Sequence, residues 1–445
     1  MRTVRLAIFP ALLFCAAISS AAVTGSITDQ TGKRLAGATI RIFAQETRST
    51  LLARLAEGTL QREPLASTTT AENGAFSINV PSRAVVELVV AAPDHTYASF
   101  DVAATDDVGT LVLAAAKPVA GKVSGAGKPV AGAIAVTIDG AFAVRTADDG
   151  TWSLPRNATA PAIAILHRDF AAFESVIRDE KPLDITLERG AEIRGHVVAP
   201  NGRPDTSRAT IIAGPWTIGS SDPTGAFVIA HAPSKWRSIR IASAVGGAIV
   251  ANAGAKSYDV HLRKPGSMSG VVRDAKTSAP VSGVRIRLAL LTDLAIEQTE
   301  ITNAKGEFAF RGMAPGRYDI HTSHPLYQLD AENMMENLGI GEDDVSDLTA
   351  HALAIVRGRV IDEEKKPLAG VAISRVDSQA PSRISASDGT FTMRVPAAPA
   401  MKLLASRSGY AVQATQVAAV AGEPKDVVIT MRRGVALTLH IIDGD

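Results

Sequence analysis

A short phrase recurs five times along this chain and limits what it can fold into: Asn73-Gly74-Ala75-Phe76, Asp149-Gly150-Thr151-Trp152, Thr224-Gly225-Ala226-Phe227, Lys305-Gly306-Glu307-Phe308 and Asp388-Gly389-Thr390-Phe391. Glycine after a polar residue takes the positive φ of a tight hairpin turn, and the aromatic two places on begins a strand that faces a core. Gly74, Gly150, Gly225, Gly306 and Gly389 are therefore expected as structural turn residues. An opening phrase precedes each copy and restarts at Val23, Val119, Ile193, Met268 and Val356, roughly 75 to 95 residues apart, the mark of a repeated structural unit.

Each opening phrase alternates into a polar turn such as Asp29-Gln30-Thr31-Gly32 or Asp362-Glu363-Glu364-Lys365, then into a second alternating run. Alternation across a turn predicts two strands. A small pair precedes the second strand at Ala36-Gly37, Ala131-Gly132, Ser282-Gly283 and Ala369-Gly370, which suits a crowded bend. Further strands are expected at Val85 to Val90, Ala162 to Leu166, Ser238 to Ala242, Tyr318 to His321 and Lys402 to Ala405, with closing strands such as Thr110 to Leu113 and Val427 to Met431. Six or seven strands per unit is the count of a small Greek-key sandwich.

The order Gly-x-Val, polar turn, Pro-Leu-Ala-Gly-Val, Asp-Gly-Thr-Phe, seen most fully between Val356 and Arg433, resembles the carboxypeptidase regulatory-like domain. That resemblance implies a transthyretin-like or starch-binding-like sandwich, found in tandem in exported bacterial proteins, and a non-catalytic appendage rather than a peptidase. The fold class expected is all-β: a tandem array of about five Greek-key β-sandwich domains of prealbumin or Ig-like type. The boundaries read as a signal peptide at 1–22, sandwiches at 23–117, 118–191, 192–267, 268–355 with an acidic insertion, and 356–434, then 435–445 as a closing strand or the start of a further repeat. The third unit departs from the pattern, with Asp205-Thr206-Ser207 in place of Leu-Ala-Gly, so its second strand is the least defined.

Arg2 and Arg5, an apolar run from Leu6 to Ile18 and the small residues Ser19 to Ala22 have the order of an export signal. The only cysteine, Cys15, falls inside that apolar run, so a mature chain has no thiol for disulfides, metal or nucleophilic chemistry. Phe14 stands where a lipoprotein signal has a small residue, which weakens lipidation at Cys15. No later run is long enough to span a bilayer, so no membrane span is expected in the mature chain. Lysine plus arginine number 46 against 45 acidic residues, a balance that offers no grip on a nucleic-acid backbone.

The sequence contains no His-Glu-x-x-His, no Gly-x-Ser-x-Gly and no phosphate-binding loop; Gly125-Ala126-Gly127-Lys128 runs into Pro129 as an ordinary turn. Neither a catalytic residue nor a cofactor is expected. His321 and His324, followed by acidic residues from Asp330 to Asp344, are the one region with potential metal ligands, but their spacing fits no calcium loop. The bland alternative is a solvated acidic face on a helical or flexible insertion between Ala331 and Leu348. Trp216 and Trp236 share the third unit, and an exposed indole pair would stack on sugar rings; core packing is the competing use.

The resulting expectation is a non-catalytic exported protein acting as a structural spacer or an interaction and adhesion array, with a protein or glycan partner that the sequence does not name. Two alternatives accompany it: a carbohydrate-binding protein, and the N-terminal exported part of a larger receptor or enzyme.

Overall fold

The computed structural model describes residues 22–434, apart from 81–83, 105, 160, 292, 331–333, 340, 377–382 and 422. The expected signal peptide with Cys15, and the segment 435–445, lie outside the described residues. The described chain is almost entirely β, with one helix, Arg48–Ala56. In the last unit one sheet places Ala354–Ile361 between Thr390–Val395 and Pro424–Thr430, and a second runs Arg383–Ile384, Ala372–Arg375, Ala398–Ser406, Gln413–Ala419. Counted along each unit, strand order is 4-1-7 in one sheet and 3-2-5-6 in the other in the first, third and fifth units, and in the second once the short Lys128–Pro129 strand is set aside; in the fourth, Met334–Leu338 takes the edge beside Gly316–Ser323 and Tyr327–Leu329 joins the other sheet. The first and seventh strands run parallel, as in Ile355 to Ile361 beside Pro424 to Thr430, so the chain must cross between sheets rather than meander. Each pair of sheets encloses its own apolar cluster; the second holds Val123, Trp152, Ile163 and Ile165, and the fifth Val360, Phe391, Leu403 and Ile429.

The recurring phrases are the joints of this sandwich. Gly25, Gly121, Gly195, Gly270 and Gly358 on the first strand lie directly across from Phe76, Trp152, Phe227, Phe308 and Phe391 on the fourth. A side chain at Gly358 would meet the Phe391 ring at 2.1 Å; in this unit the aromatic takes the space that the glycine leaves. Two residues further on, the N–H groups of Ile27, Val123, Val197, Val272 and Val360 donate to the carbonyls of Gly74, Gly150, Gly225, Gly306 and Gly389 at 2.8–2.9 Å. All five of those glycines hold positive φ, between +72° and +81°. Where aspartate precedes the glycine, its carboxylate accepts from the threonine that follows: Asp149 takes the Thr151 N–H at 3.0 Å and hydroxyl at 2.7 Å. Those bonds, the hydroxyl's first, hold the Asp149 carboxyl below the usual carboxylate range, and the same holds for Asp222 with Thr224 and Asp388 with Thr390.

A further five-fold feature has no phrase of its own. Buried Thr70, Thr146, Ser221, Thr302 and Ser385 each accept the N–H that opens the second strand, from Ala38, Ala133, Ala209, Val284 and Val371, at 2.9–3.0 Å. Thr146 also donates to the Val130 carbonyl at 2.6 Å, and Ser385 to that of Leu368 at 2.7 Å. One hydroxyl thus satisfies two backbone groups sealed from water. Thr146→Val, which keeps the shape and removes the hydroxyl, is expected to destabilise the second unit by about 2 kcal/mol. Denaturant titration with faster exchange of the Ala133 amide checks this; unchanged protection would refute it.

The structure corrects one reading of the acidic segment. In place of a helix or flexible insertion between Ala331 and Leu348, Met334–Leu338 pairs antiparallel with Gly316–Ser323, and Asp343–Val345 and Leu348–Ala352 both run parallel to Gly266–Asp274. Edge strands with unpaired backbone groups draw this segment in, whatever its polarity. The divergent third unit keeps its second strand, shortened to Thr210–Ile212. There Asp205 is buried, donates its N–H to the Val197 carbonyl at 2.9 Å and accepts from Ser207. The polar Asp-Thr-Ser forms the bend that Leu-Ala-Gly forms elsewhere.

Candidate functional site

The one helix marks where units converge. Thr47 caps it, its hydroxyl accepting the Thr50 N–H at 3.3 Å while the Thr50 side chain takes the Thr47 N–H, and Leu51 and Leu55, one turn apart, give it a buried stripe. That stripe packs outside the first core, against Val136, Ala143 and Ala164 of the second unit and Trp216 of the third. Arg54 folds back bidentate on Glu46, at 2.9 and 3.0 Å, and fixes the helix to the strand end before it.

Around this point the units are bonded to one another. Between the first and second, the buried Tyr97 hydroxyl donates to Asp139 at 2.9 Å, Tyr97 N–H donates to the Arg156 carbonyl, and the Tyr97 ring meets Phe142 edge-on at 4.7 Å. Between the first and fourth, Arg285 reaches Asp101 at 3.3 Å and the Glu46 carbonyl at 2.8 Å, while Gln45, bonded to Asp101 within its own unit, donates across to the Gly283 carbonyl. Arg394 of the fifth unit pairs with Asp106 of the first. The third joins the second through the Trp216 indole N–H on Glu174 at 2.6 Å. The row of sandwiches is therefore folded back on its first member, which a sequence of local phrases cannot announce.

A charged cleft of about 360 Å3 opens where the first, second and fourth units meet. On its wall Glu87 is buried, and desolvation raises its carboxyl pKa against the pull of Arg62 at 2.7 Å and the Ser99 hydroxyl at 2.7 Å. Arg287 holds Glu297 at 2.9 Å. Among the described residues the donors to Asp139 are neutral: Tyr97, Thr137, Asn157 and the Ala141 N–H. Arg48 stacks over the Trp216 ring at 4.2 Å, and burial lowers its pKa. Glu87 and Glu297 are thus paired with arginines, and the Ser99 hydroxyl is held on the Glu87 carboxylate.

The residues singled out from sequence are placed apart. Trp216 is buried beneath Arg48 and Glu174, and Trp236 packs on the third core with its ring edge-on to Tyr258 at 5.7 Å. They build no common platform. His321 pairs with Asp319 at 2.8 Å. His324 is packed against Tyr327, accepts the Leu326 N–H and lies 3.2 Å from the Ser282 carbonyl; burial pushes its pKa down to about 4. Asp330 pairs with His351, and Asp343, Asp344 and Asp347 accept from Ser267, Ser346 and the Val271 N–H. Among the described residues no group of three His, Cys, Asp or Glu is placed to hold a metal ion. No helix among them is long and apolar enough to cross a membrane.

These features define a tandem array of small β-sandwiches. The sequence model of the carboxypeptidase regulatory-like domain matches residues 267–350 and 355–432, so the fourth and fifth units are similar to that domain. No curated protein matches the chain. Among solved structures, the minor pilin of Streptococcus agalactiae is 16% identical, with 40% of this chain and 99% of that chain covered and a TM-score of 0.25. A streptococcal ancillary pilin is 11% identical over 55% of this chain and 99% of its own, at a TM-score of 0.26. The shaft pilin SpaA from Lactobacillus rhamnosus GG is 15% identical, with 40% and 100% covered and a TM-score of 0.21.

Proposed function

We propose that this chain is an exported, non-catalytic scaffold whose five sandwiches, divided near residues 117, 191, 267 and 355, present a fixed composite surface to a protein or glycan partner. The bonding of the first unit to the second, fourth and fifth through Tyr97, Asp101 and Asp106 carries this reading. A spacer gains reach from units that touch only their sequence neighbours. Here ion pairs join residues 184 and 288 positions apart in sequence, which gives up reach for rigidity. The paired charges of the central cleft fit a junction better than a reaction centre. Small-angle scattering of the chain in solution tests the proposal. A radius of gyration of about 22 to 30 Å is expected, near the value for one globule of this length; a value twice as large would restore the extended spacer.

A further inference from the structure

We propose that the cavity behind the helix is a binding site for a small amphipathic anion, a hydrocarbon body with a single carboxylate head. The cavity measures about 520 Å3 and is walled by Leu52 and Leu55 of the helix, Ile134 and Leu166 of the second unit, and Trp216 of the third. That volume falls within the roughly 300–1,000 Å3 of small-molecule sites, and its wall is apolar as theirs are. The Trp216 N–H is already spent on Glu174 and one indole face is covered by Arg48, so the ring gives the cavity apolar surface and no donor.

The polar groups of the lining are of one kind. Arg145, His167 and Arg168 contribute to it, and no aspartate or glutamate does. Arg145 donates to the Gly132 carbonyl at 3.1 Å and has no carboxylate partner among the described residues. Arg168, its side chain exposed, meets the exposed Asp169 at 3.6 Å, and the same carboxylate lies 3.8 Å from His167 Nδ1. His167 accepts the Asp169 N–H on Nδ1 at 3.2 Å, which leaves Nε2 as its donor. A neutral apolar ligand would make no use of these donors, and a cation would be repelled. A bare inorganic anion would gain nothing from the apolar wall. An anionic head on an apolar body satisfies both halves of the site.

The cavity draws its wall from three units, so the inference rests on the folded-back arrangement. Decanoate is the probe, titrated into the full chain by calorimetry with tryptophan emission followed in parallel; decanol and decyltrimethylammonium are the controls. Saturable one-site binding of decanoate is expected, at least about tenfold tighter than either control, with Arg145→Ala weakening decanoate about tenfold and leaving decanol unchanged. Ala56→Trp, which fills the cavity from its exposed rim, should abolish binding while scattering shows the same compact particle. Equal binding of all three probes, no saturable binding of decanoate, or binding indifferent to both substitutions would overturn the proposal. Failure in a chain that scatters as compact refutes the site alone; failure in an extended chain refutes the scaffold reading with it.

Discussion

Gly150→Ala is expected to destabilise the second unit by about 3–5 kcal/mol, whereas Gly132→Ala in the same unit costs about 1 kcal/mol. Both glycines hold positive φ, +81° and +73°, so both substitutions carry the penalty of a left-handed backbone. They differ in what the new methyl group meets. At Gly132 nothing lies within 4 Å, but at Gly150 it would sit 2.3 Å from the Val123 carbonyl oxygen and 3.3 Å from its carbon. Val123 is buried on the central strand of its sheet, and that carbonyl already accepts the Val130 N–H at 3.0 Å. The collision is with backbone, and relieving it means breaking the bond between Val123 N–H and the Gly150 carbonyl. Hydrogen exchange across Val119 to Val123 under increasing denaturant separates the two variants. Equal losses would mean that backbone conformation alone decides.

The same comparison explains what the sequence made visible. Turn chemistry is local: Asp149, Gly150 and Thr151 carry their own hydrogen bonds, so the phrase could be read without its surroundings. Strand positions such as Ser238–Ala242 followed from alternation between those turns. The hydroxyl joints leave no phrase in the sequence because threonine and serine are common, and only the fold shows that Thr146 and Ser385 occupy one site. The helix carried a weak signal in Thr47, Thr50, Leu51 and Leu55, yet a nine-residue helix is marginal alone. Contacts with the second and third units hold it, and nothing near Arg48 in sequence names them.

The candidate site was the least legible part for the same reason. Within its own unit Trp216 reads either as part of a sugar platform or as a packed core residue; in the fold Arg48 and Glu174, from the first and second units, hold it. Asp101 and Arg285 look like two unremarkable surface charges until the fourth unit is laid against the first. The histidines His321 and His324 are potential ligands by type, but Asp319 and the Ser282 and Leu326 backbone already occupy them. Contacts made by units far apart in sequence leave no spacing to read.

The seam between the first two units offers the other large effect. Asp139 gathers the Tyr97 hydroxyl on both carboxylate oxygens at 2.9 Å, the Thr137 hydroxyl at 2.7 Å, the Asn157 amide at 2.8 Å and the Ala141 N–H at 3.1 Å. Tyr97 is fully buried, and desolvation, then the neighbouring Asp139 charge, push its phenol pKa far above the ordinary value. It therefore remains a donor across the working pH range. Asp139→Ala strands that hydroxyl and removes one bond from the buried Asn157 amide, and is expected to cost about 3–5 kcal/mol, the range for removing one member of a buried polar network. Asp139→Asn keeps one oxygen acceptor but turns an amide toward its donors, and should lose about half as much. The loss should fall on the seam rather than on either core, since Tyr97 N–H bonds to Arg156 and Ala158 N–H to Tyr97 across it. Faster exchange at the Tyr97 and Ala158 amides, with the Ile40 and Ile163 cores still protected, is the expected pattern. Wild-type protection at those two amides in Asp139→Ala would show that the apolar contacts of Tyr97 with Phe43 and Val89 hold the seam without the carboxylate.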